Sequence, residues 1–282
     1  MGPMRLRLYH HPDGARVAYR ELGAGPPLAL LHSALLSHKE WEPAVERLAD
    51  RFRVVLPDLP LHGDSEQRPR HPYTPEWFAE VLGGFAAEVL GPRPAIAAHD
   101  AGAEVLLHAL RSKTISPSRL VIMPNRLHTA EPRPLLRSAA RMAVRAAAVP
   151  GLDSLLSYGA AAAFRPEQGI ALSARANPAA ADLFRQAFAD VPGNSSLARS
   201  WAKCARSWPR GPLKELLDLY PQLNMPVLLL WADQDRRHPL RAAEEALQLL
   251  PHGQLRVLES TGFLMAYDDP VGLARELLAF CG

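Results

Sequence analysis

A chain of 282 residues with 48% hydrophobic side chains can bury a sizeable core, either as one large domain or as a core with an insertion. Net charge is only +3, and no basic run is interleaved with aromatics, so no nucleic-acid partner is expected. No apolar run approaches a membrane span, Met1 to His10 lack an apolar signal core, and the distant Cys204 and Cys281 offer neither a disulfide framework nor metal-ligand spacing; the expectation is a cytoplasmic protein with no cofactor, no metal and no membrane partner.

Met4–Tyr9 and Arg16–Leu22 flank Pro12-Asp13-Gly14, which reads as a hairpin. Pro27–Leu31 is a continuous apolar run, as in a strand buried on both faces, and it ends at His32-Ser33-Ala34-Leu35. Trp41, Val45 and Leu48 fall at helical spacing, predicting a helix over Trp41–Asp50. Phe52–Leu56 is the next strand and runs into the turn-rich Asp58-Leu59-Pro60-Leu61-His62-Gly63-Asp64-Ser65. Thr74–Leu90 is predicted helical, with Thr74 as cap and Pro75 at the first helical position.

Pro94 to Val105 reads as a short apolar strand, a tight turn and a helix. Small residues flank one reactive side chain: Ala98 lies two before Asp100 and Gly102 two after. That spacing fits a nucleophile elbow, a turn too sharp for bulky neighbours that lifts one side chain above the end of a sheet. It also fits an ordinary strand-to-helix turn with Asp100 as cap.

Leu120–Pro124 is another buried strand, and the β-α alternation then stops. From Asn125 to about Tyr220 the pattern is helical: Arg133–Ala148, Gly151–Ala163, Ala179–Ala189 and Ser195–Ser207. Alternation resumes with a strand at Pro226–Trp231, a helix at Arg241–Leu250, a strand at Gln254–Leu258 and a helix at Pro270–Phe280. The expected architecture is an α/β fold: a mostly parallel sheet with helices on both faces and a helical insertion after about the sixth strand. Ligands bind such sheets at the carboxyl ends of the strands, where the insertion would sit as a lid.

Taken together, these motifs resemble the α/β-hydrolase fold family over essentially the whole chain. His32-Ser33-Ala34 resembles the family's oxyanion loop, and His99-Asp100-Ala101-Gly102 resembles the elbow of its aspartate-nucleophile branch, which holds epoxide hydrolases and dehalogenases. Leu228 to Asp235 resembles the strand that carries the triad acid, which would be Asp235. Ser260–Pro270 resembles the loop of the catalytic histidine, but Gly262 is followed by Phe263, so phenylalanine stands where the family has histidine.

The resemblance implies an eight-stranded core over residues 1–124 and 221–282 with a helical cap over 125–220. It places the oxyanion donors at the amides of Ala34 and Ala101, beside Ser33, with His32 as a brace. His99 and His62 are expected in packing roles. His238, three residues after Asp235, is the candidate replacement base. Trp201, with Phe164, Phe184, Phe188 and Trp208, would line the cap. Ala101 stands where haloalkane dehalogenases carry Trp and fluoroacetate dehalogenases Arg, which argues against dehalogenation. Epoxide hydrolases need two cap tyrosines, and only Tyr158 and Tyr220 are available. Arg133, Arg137, Arg141 and Arg145 recur at four-residue spacing, fitting a solvated helix face or an attraction for anions.

In the aspartate branch a carboxylate attacks carbon to form an ester, and histidine activates the water that cleaves it. Phe263 can do no proton chemistry. The expected function is therefore an enzyme acting on a hydrophobic or polycyclic small molecule of specialised metabolism, with Asp100 as general acid or base in an isomerisation, elimination or cyclisation. Two alternatives remain: an epoxide-hydrolase-like enzyme with Asp100 as nucleophile, and a non-catalytic ligand-binding protein. The partner expected is a small-molecule substrate, with a homodimer as an open assembly.

Overall fold

The computed structural model describes residues 4–68, 70–128, 165–208 and 213–282. Its strands are β1 (Arg5–His10), β2 (Arg16–Leu22), β3 (Pro27–Leu31), β4 (Arg53–Pro57), β5 (Ala95–Ala98), β6 (Arg119–Ile122), β7 (Val227–Ala232) and β8 (Gly253–Leu258). They form one eight-stranded sheet in the order β1-β2-β4-β3-β5-β6-β7-β8. β2 runs antiparallel to β1 and β4, and every pairing from β4 to β8 is parallel.

The central strands are apolar throughout because both faces are covered. Alternation with period two divides their side chains between two cores. Ala29, Leu31, Ile96, Ala98, Leu229 and Trp231 face one, with residues of α2 (Pro75–Phe85) and α3 (Ala101–Arg111). Leu28, Leu30, Ala95, Ala97, Leu228 and Leu230 face the other, with α1 (Glu42–Ala49) and the C-terminal helix Pro270–Cys281. Thr74 caps α2 through its hydroxyl, which accepts from the Trp77 amide at 3.2 Å, and Pro75 opens the helix as expected. The single helix expected over Thr74–Leu90 instead changes at Ala86 to one π turn that ends before Gly91.

Between β6 and β7 lie α4 (Glu167–Leu172), α5 (Ala179–Ala187), α6 (Ser195–Ser207) and the short α7 (Lys214–Leu217). The helices expected at Arg133–Ala148 and Gly151–Ala163, with their arginines, Tyr158 and Phe164, lie outside the described residues. After β7 come α8 (Leu240–Leu247), the one-turn α9 (Met265–Asp268) and α10 (Pro270–Cys281). The parallel strands end together, so the turns after β3, β5 and β7 bring His32–Leu36, Asp100 and Asp235–His238 to one edge of the sheet.

Candidate active site

Asp100 sits between β5 and α3 with φ +45° and ψ −113°, a conformation that side chains avoid. Such strain costs on the order of 1–3 kcal/mol and persists only where the surroundings hold it. Here the Asp100 amide donates to the Pro124 carbonyl at 2.9 Å, and the Gly102 amide to the His32 carbonyl at 3.1 Å. Gly102 is needed because a Cβ there would lie 2.7 Å from Leu31 Cβ and 2.8 Å from the His32 oxygen. The strand–turn–helix context and strained backbone are those of an elbow rather than of a simple capped turn, and the Asp100 side chain makes no cap bond to α3.

Asp100 Oδ2 accepts from the Ala34 amide at 2.9 Å, which leaves Oδ1 as the oxygen available to a ligand. The Ala101 amide opens α3, so no earlier turn of helix supplies it with an acceptor. Asp100 and Ala34 line a cavity of about 780 Å³. Its apolar walls are Leu35, Leu36, Leu172, Phe184 and Phe263; its polar ones are Gln168, Ser173, Gln234, Asp235, Arg236 and Arg237.

Phe263 lies in the loop after β8. The ring is 6% exposed and packs with Leu36, Ala180, Leu183, Phe184 and Leu264, so residue 263 joins α5 to the sheet edge. It also lies between two imidazoles. Its centroid is 4.3 Å from that of His99 and 5.9 Å from that of His238. Gly262 is glycine because segment 172–174 passes over it: a Cβ would meet the Leu172 oxygen at 2.7 Å and the Ala174 nitrogen at 2.8 Å. Asp268 closes this loop. Its carboxylate accepts from the Gly262 and Ala174 amides, each at 2.8 Å, and from the Ser173 hydroxyl.

Asp235 lines the cavity, and its carboxylate is engaged within its own loop. Its Oδ2 bonds His238 Nδ1 at 2.7 Å and its Oδ1 accepts from the Arg237 amide at 2.9 Å. Burial pushes the Asp235 carboxyl up, but the His238 hydrogen bond and charge, with the Arg237 amide, bring it below the usual range. His238 is buried, its carbonyl accepts from Trp231 Nε1 at 2.8 Å, and it is not among the residues lining the cavity over Asp100. The structure thus joins Asp235 and His238, and among the described residues no hydrogen bond links the imidazole to Asp100.

Other expected site residues take supporting positions. His32 is buried, with Nδ1 on the Ser33 carbonyl at 2.8 Å and Nε2 accepting from the Leu59 amide at 2.9 Å; burial holds its pKa down. Ser33 does not face the cavity, because its amide and hydroxyl both donate to Glu40 Oε2, at 2.7 and 2.6 Å. Trp201 borders a separate cavity of about 280 Å³ with His62 and Lys39, and meets His62 edge to face at 5.0 Å. Tyr220 is fully buried with its hydroxyl on His128 Nε2 at 3.1 Å, so it presents no phenol to Asp100. Tyr158 lies outside the described residues.

Sequence reasoning passed over Glu40. Its Oε1 bonds His99 Nδ1 at 2.5 Å while Oε2 holds Ser33, so one buried carboxylate links the oxyanion loop to the residue before Asp100. Burial disfavours both charges, but each group favours its partner's: Glu40 is held below its ordinary value and His99 above it. His99 Nε2 is buried without a hydrogen-bond partner. His38, Asp58 and Asp64 bring ligand-type atoms within 4.8 Å of one another, but Arg20 already supplies the cation, 2.7 Å from Asp64 and 3.1 Å from His38. That cluster is a charge network, fixing the loop after β4 against the one after β3.

Comparison with known proteins places this geometry. Residues 28–276 match the model of the Alpha/beta hydrolase family. An uncharacterized protein of Mycobacterium tuberculosis is 26% identical over 272 residues, spanning 95% of this chain and 77% of that protein. The soluble epoxide hydrolase of a Corynebacterium species is 29% identical over 123 residues, 43% of each chain. Among solved structures, an alpha/beta hydrolase fold protein from Burkholderia ambifaria superposes with a TM-score of 0.79 at 22% identity, covering 98% of this chain and 100% of that one. Among the described residues, no helix is long and apolar enough to cross a membrane.

Proposed function

This chain belongs to the alpha/beta hydrolase family, and on that premise we propose that it is an enzyme whose Asp100 carboxylate moves a proton on a bound small molecule without hydrolysing it. The observation that carries this reading is the pairing of a held carboxylate with a missing base. Asp100 Oδ2 is pinned by the Ala34 amide, and across the cavity stands Phe263 rather than an imidazole. In this reading Oδ1 takes a proton from the substrate and returns it at another atom, giving isomerisation, elimination or ring closure. The Ala101 amide is the donor left for an oxygen that gains charge. The apolar wall formed by Leu36, Leu172, Phe184 and Phe263 suits a hydrophobic or polycyclic skeleton of the kind specialised metabolism produces. In this reading the described helices α4 and α5 form part of a lid, with Gln168, Leu172 and Phe184 supplying its part of the wall. Asp235 and His238 form a supporting pair beside the site.

One observation favours a second reading, with Asp100 as the nucleophile of the aspartate branch. The Ala34 amide on Oδ2 would equally hold the carbonyl oxygen of an ester formed at Oδ1. Oδ1 would open an epoxide by attack on carbon, the C–O bond would break, and the alkoxide would take a proton. Without a base the ester would persist.

Intact-protein mass after incubation with a panel of epoxides and alkyl halides separates the two. Proton transfer predicts no adduct on the wild-type protein, and loss of turnover of any substrate found when Asp100→Asn is made. A stable adduct on Asp100 that becomes turnover in Phe263→His would establish the nucleophile reading instead. Full turnover by Asp100→Asn would overturn both.

A further inference from the structure

We propose that the cavity over Asp100 takes amphiphilic carboxylates, with the acid of the ligand seated on Arg236 and Arg237 and its apolar skeleton directed toward Asp100. The inference rests on reading this cavity as the substrate site. Both arginines line it, and neither has an ion-pair partner among the described residues. Several other arginines are paired, Arg20 with Asp64, Arg53 with Glu21, Arg126 with Glu104 and Arg241 with Glu245; what sets Arg236 and Arg237 apart is that they line the cavity. The acid nearest to Arg236 and Arg237 in sequence cannot serve them, because Asp235 is engaged by His238 and by the Arg237 amide.

Arg237 is also positioned. Its amide is fixed on Asp235 and its guanidinium carbon lies 5.8 Å from the Phe263 centroid, over the ring. A planar guanidinium held on a ring face presents its free edge to a carboxylate, the geometry that favours two parallel hydrogen bonds. Two adjacent unpaired cations repel each other, and an anion between them relieves that repulsion. The Asp100 carboxylate lines the same cavity and repels an acid. Attraction to the arginines and repulsion from Asp100 together orient an amphiphilic acid with its carboxylate at the arginines and its carbon skeleton against Leu172, Phe184 and Phe263.

Isothermal titration with phenylhexanoate and with phenylhexanol, which share one skeleton and differ in the acid, tests this without any bond chemistry. Phenylhexanoate is expected to bind roughly tenfold tighter than the alcohol or better. The preference should weaken as salt is added, disappear in the Arg236→Gln/Arg237→Gln double variant and survive in the Lys/Lys variant, which keeps both charges. Both arginines are exposed, so the double variant should still fold and lose no more than the Arg237 contact with the Phe263 ring. Equal affinity for acid and alcohol, a preference that survives Gln/Gln, or no binding of either compound would overturn the proposal. The proton-transfer reading fails separately, through the mass and turnover assays of Asp100→Asn, while the acid preference would stand.

Discussion

Two carboxylate–imidazole pairs flank the Phe263 ring, and they differ in what else they hold. Glu40–His99 is a strut: its carboxylate also takes the amide and hydroxyl of Ser33, and neither partner borders the cavity. Asp235–His238 is a rim: its acid lines the cavity, and its second oxygen takes only a neighbouring amide. In the hydrolytic arrangement that the fold resembles, the acid of the rim would orient a histidine at residue 263. Here it orients His238 instead, and the ring at 263 separates the two pairs. One pair therefore fixes the loop after β3, while the other stands at the cavity rim.

The sharpest way to break this comparison is to remove each acid. Glu40→Ala leaves the Ser33 amide, the Ser33 hydroxyl and a buried imidazole without their acceptor, so it should cost about 3–5 kcal/mol of unfolding free energy. Urea denaturation measures it. Asp235→Asn keeps an oxygen for the Arg237 amide and an atom for His238 Nδ1, and should cost only about 1–2 kcal/mol. Equal losses would mean that Glu40–His99 is no more structural than the rim.

Next in size is the dependence of stability on pH. His99 is raised above 6.5, so its contribution is fully present below 6.5 and is lost as pH rises through the folded value. Glu40 and Asp235 are held below 4.5 and 3.8, so theirs are present above those values and lost as pH falls. Wild-type melting temperature should thus decline on both sides. Between pH 6.5 and the cysteine range near 9, the decline belongs to His99. Glu40→Gln should remove most of that alkaline decline, because His99 then loses its hydrogen-bonded anion and keeps only the smaller charge effects of Asp100 and Asp235. Asp235→Asn should keep it and soften the acid limb alone. Melts at closely spaced pH values would expose an alkaline decline that survives Glu40→Gln, which would assign it to another group.

The strand framework was legible because strands buried on both faces have nothing polar to interrupt them. Pro27–Leu31, Arg16–Leu22 and helix Ser195–Ser207 stand where periodicity and turn residues put them. The elbow was legible because a turn this tight restricts residues two positions either side. The long-range contacts were not. Glu40 meets His99 across 59 positions, and Ser173 meets Asp268 across 95, so neither contact leaves a local signal. The spacing of Asp235 and His238, three apart, is visible in the sequence, but their hydrogen bond is seen only in the structure. Helices α7 and α9, of four residues each, are too short for a period to appear. Phe263 stood out in the sequence, but its packing role did not, because Phe184 and Leu183 come from a helix about 80 positions away in the chain.

The smallest expected effect tests the ring itself. Phe263→Leu keeps an apolar side chain against Leu36, Leu183 and Phe184, so most of the burial survives. What it removes is the flat surface between His99 and His238, and the face beneath the Arg237 guanidinium. Ring contacts of this kind are worth about 1 kcal/mol beyond their area, which lowers Tm by about 2–4 °C in a chain of this size. If the ring only fills space, Phe263→Leu should melt with the wild type and leave the acid preference of the cavity intact. If it also holds Arg237 in place, the preference for phenylhexanoate over phenylhexanol should shrink while the alcohol binds as before. Calorimetry on this one variant therefore asks whether phenylalanine at 263 is merely the absence of a base or a working surface of the cavity.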